Sequence, residues 1–107
     1  MNVYKNYLYT VLAGVFILLS MTAQANEQLA MESACVACHA ANYKRVGPSY
    51  HDIAARYEGA DEKIVEQIVA RVKGGSRYMW GTLSMPAMPL VTNEDAHSLV
   101  RWILSQQ

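Results

Sequence analysis

The 107-residue chain has only two cysteines, no excess of either charge and no apolar run long enough to cross a bilayer. Nine Lys and Arg balance nine Asp and Glu, which excludes a strongly basic nucleic-acid binder, and 52% apolar residues exclude a disordered tail. A membrane-spanning helix needs about 20 apolar residues in succession, whereas the uninterrupted run here is Val11 to Leu19. Period-two alternation is missing as well, so the pattern predicts neither strands nor βαβ units. The cysteines, Cys35 and Cys38, lie three apart. A bond between them would close a tiny loop, where the entropic gain is least.

Part of the apolar content is concentrated at the N-terminus. Lys5 supplies the positive charge of a short leading region without acidic residues, Val11 to Leu19 forms an apolar segment, and Ala23-Gln24-Ala25 offers a small-x-small cleavage pattern. Residues 1–25 therefore read as a secretory signal peptide that is removed, leaving 26–107 as one domain. That segment has eight basic and nine acidic side chains once Lys5 is gone, a net charge near −1. Docking to partners must then rely on local patches rather than on the overall charge.

A domain this short gains little margin from a hydrophobic core alone, and small exported domains commonly add a covalent or metal staple. Cys35-Val36-Ala37-Cys38-His39 supplies one: C-x-x-C-H is the attachment pattern of c-type haem. Residues three apart in a helical turn project to one side, so both thiols can reach one porphyrin edge, and His39 can place its imidazole under the iron. A dithiol redox motif expects a βαβ context, which is missing. A zinc site could draw on Cys35, Cys38, His39 and His51 or His97, but without paired ligand spacing.

A second axial ligand is sought among the methionines. Ser84-Met85-Pro86-Ala87-Met88-Pro89 is stiffened by two prolines, and a thioether presented there would favour ferrous iron. Met85 is the favoured ligand and Met88 the other candidate, since proline follows both. Met31 and Met79 are read as core gap-fillers, and His51 and His97 as helix-surface residues.

The 26–107 segment reads as all-α. A first helix is expected from Asn26 or Glu27 into the cysteine motif, with Leu29, Ala30, Ser33 and Ala34 facing inward. A second runs from Ser49 to Tyr57 and ends at Gly59. A third is capped by Asp61, carries the Ile64, Val65, Ile68, Val69 and Val72 stripe, and stops at Gly74-Gly75. Ser76 to Val91 is a long loop of the kind that is usually functional. Thr92 caps a last helix with Ala96, Leu99, Val100, Ile103 and Leu104 on one face; Trp102 is expected where the two terminal helices meet.

With these residues in place, the chain resembles the class I monohaem c-type cytochromes, specifically the small bacterial electron carriers of the five-five-one type. The resemblance spans essentially all of 26–107. It rests on the Cys35–His39 motif, on Val46-Gly47-Pro48-Ser49-Tyr50, on Arg71-Val72-Lys73-Gly74-Gly75-Ser76 with Trp80-Gly81, and on Trp102-Ile103-Leu104-Ser105. It implies a class I cytochrome c fold, about four short helices around one haem c held covalently by Cys35 and Cys38. Carried over, His39 and Met85 are the axial ligands of the iron, the Pro48 carbonyl accepts from the proximal imidazole, and Arg71 and Trp80 donate to a haem propionate. Two departures stand out. Met85-Pro86-Ala87-Met88 replaces the family's frequent Met-Pro-Pro-Asn, removing the asparagine that tunes the ligand sulfur. One extra residue precedes the last helix, which keeps Met88 in play.

The function so implied is a soluble periplasmic one-electron carrier that performs no bond chemistry and is no enzyme. It would serve periplasmic or membrane-bound redox proteins (reductases, oxidases, dehydrogenases) of a respiratory chain, as a monomer without stable membrane insertion and without nucleic acid. Docking is expected at the exposed haem edge near Val36, Ala37, Val46 and the Met85 loop, with Lys44 and Arg45 close by. The competing reading is a five-coordinate haem that binds small ligands, senses them or turns over peroxide, against which stands the lack of a distal acid–base pair.

Overall fold

The computed structural model describes residues 2–107, the side chains of 13–25 excepted, so most of the apolar segment and the Ala23-Gln24-Ala25 site lie outside the described residues. Four α-helices follow one another without a strand among the described residues: α1 Val3–Glu32, α2 Tyr50–Arg56, α3 Glu62–Gly74 and α4 Asn93–Leu104, with a short 3-10 helix at Cys35–Ala37. None is long and apolar enough to cross a membrane among the described residues.

Local chemistry sets the helix starts. Ser49, Asp61 and Thr92 each adopt extended backbone and accept a hydrogen bond from the N–H three residues on, at Asp52, Ile64 and Asp95. Caps of this type contribute about 0.5–2 kcal/mol each. Gly75, at φ 82°, ends α3 in a conformation that side chains avoid. Across the α3–α4 contact, Val65 and Val69 pack on Ala96 and Val100, with Ile68, Val72, Val91 and Leu104 around them. This seam is the apolar core of the C-terminal half. Buried Ala30 brings the end of α1 against α4, and buried Tyr50 and Ala54 bring α2 there too.

The first helix departs from expectation in three ways. It begins at Val3 rather than at Asn26 or Glu27. It also stops at Glu32 instead of running into the cysteine motif, because Ala34 turns left-handed at φ 61° and the chain restarts as a 3-10 turn. Ala34 is exposed as a result. Met31 does not fill a core gap; it is 53% exposed. Trp102 meets Tyr50 edge-on at 5.3 Å, so it packs on α2 as well as near α1.

Candidate functional site

In a 3-10 turn residues i and i+3 eclipse, and here Cys38 N–H donates to Cys35 O at 3.2 Å. Both thiols are free, half-buried and line one cavity of about 270 Å³. Burial is the main reason the Cys35 thiol is pushed up, opposed by a backbone hydrogen bond and reinforced by Cys38.

The segment after the motif folds back over it. Gly47 N–H donates to Cys38 O at 2.8 Å, Arg45 Nη1 to Val36 O at 2.9 Å, and Tyr50 and His51 N–H to Ala40 and Ala41 O. This wrap brings His39 Nδ1 to 2.7 Å from Pro48 O. A carbonyl only accepts, so Nδ1 carries the proton and Nε2 keeps its lone pair for a ligand. Gly47 makes the approach possible: a Cβ there would stand 2.5 Å from His39 Cε1. The Tyr50 ring stacks on the imidazole, with centroids 6.0 Å apart and planes 21° apart. The Tyr50 hydroxyl is buried without a partner among the described residues, and its pKa is raised to about 12, chiefly by burial and then by Cys35 and Glu27.

The facing wall comes from α3 and the 76–91 loop. Ser76 and Met85 exchange both backbone hydrogen bonds at 3.0 Å, closing a neck that fixes Met85. Gly75 permits the neck, since a Cβ there would meet Met85 O at 3.0 Å and Ala87 N at 3.1 Å. Met79, Trp80 and Met85 line the cavity with Arg71 and Pro48; Met88 does not, its N–H being drawn to Val72 O at 3.1 Å. Arg71 Nη1 donates to Tyr57 Oη at 3.2 Å. His51 and His97 lie outside the lining.

Two side chains at this site escaped the sequence reading. Arg56 donates to Met79 O at 2.5 Å and covers the Trp80 ring at 4.5 Å, and Tyr57 holds Arg71. Both contacts join residues more than ten apart, and no periodicity signals them.

The lining suits a flat apolar group with an anionic edge. Aliphatic side chains such as Val46, Ile53, Ile68, Val72 and Leu104 form the walls, Asp52 is the one carboxylate among them, and Lys44 and Arg71 add positive charge. Two thiols and an imidazole with a free Nε2 lone pair supply covalent and iron-binding donors, and the space beside His39 is kept by a residue without Cβ. These residues fit a covalently bound haem.

Comparison with known proteins agrees. The cytochrome c family model matches residues 23–107. Cytochrome c-552 of Hydrogenobacter thermophilus is 42% identical over 81 residues, which covers 76% of this chain and 81% of that protein. Cytochrome c-551 of Pseudomonas aeruginosa is 38% identical over 94 residues, 88% of each. The crystal structure of wild-type Nitrosomonas europaea cytochrome c552 superposes with a TM-score of 0.72 at 38% identity, covering 76% of this chain and 99% of that one. The chain belongs to the cytochrome c family, with the all-helical class I fold of the 551 type. It is a small electron carrier, not an enzyme, and its cofactor is one covalently attached haem c.

Proposed function

We propose that the chain is a periplasmic one-electron carrier whose haem is bonded to Cys35 and Cys38 and ligated by His39 Nε2 and the Met85 thioether. The observation that carries this reading is the convergence on one cavity of two free thiols, an imidazole whose Nδ1 proton is committed to Pro48 O, and a thioether fixed by the Ser76–Met85 neck. The bound group supplies the one-electron couple. The protein's residues keep its surroundings constant: Pro48 holds the imidazole in one tautomer and orientation, the neck holds Met85, and Arg71 and Trp80 offer donors to the propionates. Little has to move when one charge is added. Residues 1–25 serve as the export signal, which agrees with a bacterial family of small cytochromes. Partners of the respiratory chain meet the carrier at the cavity, which Lys44 and the exposed Val46 line.

The test compares Met85→Ala with Met88→Ala in haem-loaded protein. The far-red thioether-to-iron charge-transfer band is expected to vanish in the first and persist in the second, and the reduction potential is expected to drop only in the first. A band that survives Met85→Ala overturns the ligand assignment. An intact mass without added porphyrin overturns the whole reading.

A further inference from the structure

Between the two halves of the neck, residues 77–84 form a lobe that contributes Met79 and Trp80 to the cavity. Among the described residues this lobe makes no backbone–backbone hydrogen bond. Its one hydrogen bond to the rest of the molecule, again among the described residues, is the one from Arg56 Nη1 to Met79 O. The same guanidinium carbon lies 4.5 Å from the centroid of the Trp80 ring, within cation–π range. Directly before this contact Tyr78 sits at φ 57°, a left-handed conformation that a bulky aromatic residue avoids. Strained backbone of this kind persists where its surroundings hold it, and the two Arg56 contacts fall on the two residues that follow Tyr78.

Arg56 stands exposed on the last turn of α2 and does not line the cavity. It has no carboxylate partner: the ion pairs among the described residues are His97–Glu66 and Arg101–Glu62. Its engagements are therefore the lobe and the adjacent Tyr57 ring, 5.7 Å away. Tyr57 in turn accepts from Arg71, so Arg56 touches Trp80 directly and lies one residue removed from Arg71.

We infer that Arg56 is a positioning residue of the redox site, a clasp that holds the Met79–Trp80 lobe against α2 and so fixes the Trp80 donor and the loop bearing Met85. This rests on the haem reading above. The role needs a planar group that donates in its own plane while its face covers an aromatic ring, which arginine offers and lysine does not.

The test uses haem-loaded protein with Arg56→Lys and Arg56→Ala, read by the rate of cyanide binding to the ferric form and by the reduction potential. Both variants are expected to bind cyanide about tenfold faster, a ratio worth roughly 1.4 kcal/mol of loop opening. In both, the potential is expected to fall, since the Trp80 donor loses its support. The lysine variant separates geometry from charge and does not depend on Arg56→Ala folding. A lysine variant that matches wild type in rate and potential overturns the clasp, as does an alanine variant within about twofold of wild type. Wild-type protein without attached haem overturns this inference and the function together, whereas loaded wild type with an indifferent Arg56→Lys overturns the clasp alone.

Discussion

Gly47→Ala probes the closest approach at the site. The new Cβ would stand 2.5 Å from His39 Cε1 and 2.9 Å from Nδ1, so the pair must separate by roughly 0.9 Å to reach ordinary contact. Neither backbone can retreat freely, because Gly47 N–H is tied to Cys38 O, next to the histidine, at 2.8 Å. The imidazole must swing instead, and a shift of that size takes Nδ1 out of hydrogen-bonding range of Pro48 O, now 2.7 Å away. Overpacking costs about 1–3 kcal/mol and the lost hydrogen bond about 1 kcal/mol. We expect a loss of about 2–4 kcal/mol in guanidinium unfolding of the haem-loaded protein, together with a lower reduction potential. Gly59→Ala is the control: at φ 71° with nothing within 4 Å of its Cβ, it should cost about 1 kcal/mol of backbone strain and leave the visible spectrum alone. A Gly47→Ala protein within about 0.5 kcal/mol of wild type, with unchanged potential, would refute the steric argument.

Three further outcomes follow from other contacts. His97 faces two acceptors, Asn93 O at 2.7 Å from Nδ1 and Glu66 Oε1 at 2.6 Å from Nε2, so its pKa lies above 6.5, first through the Asn93 carbonyl and then through Glu66. A raised folded pKa contributes stability that is fully present below 6.5 and lost as pH rises through the folded value; urea midpoints of His97→Gln should therefore lack that decline, and a decline kept intact removes the assignment. Tyr50→Phe deletes a buried hydroxyl that has no partner among the described residues, so stability near neutrality should hold or rise, whereas wild type should show an extra loss of stability between about pH 10 and 12, where only the unfolded Tyr50 phenol ionises. Reduction of hexacyanoferrate(III) by the ferrous carrier should slow about threefold with added salt, because Lys44 at the cavity and Arg45, held on Val36 O beside the cysteine motif, place local positive charge where the anion docks. The overall negative charge of residues 26–107 predicts acceleration instead, and Lys44→Glu should move the trend that way.

What could be read from the sequence was local. The Asp61 and Thr92 caps, the α3 and α4 stripes and the C-x-x-C-H spacing are each set by neighbours a few residues away, and each stands in the structure. The break before Cys35 was missed, because a left-handed alanine at position 34 has no compositional signature. Met31 was misjudged because a methionine on a helix is apolar in sequence whether or not anything covers it. Arg56 on Met79 and His97 on Glu66 span 23 and 31 residues respectively, distances at which charge pattern alone cannot choose among many pairings. Met88 and Met85 share a following proline, so local sequence does not separate them, whereas the neck at Ser76 and the cavity lining involve Met85 alone of the two.

The α3–α4 seam has a bearing on biogenesis. Val65, Val69, Ala96 and Val100 pack on one another without drawing on the cysteine segment, and Val100, Ile68, Val72 and Leu104 of the same seam also face the cavity. The thiols meanwhile belong to the opposite half, which meets α4 directly through Ala30 and Tyr50 and faces the rest of the hairpin across the cavity. A porphyrin bonded to those thiols would therefore lie against the seam itself, so attaching it would also complete the packing of the hairpin.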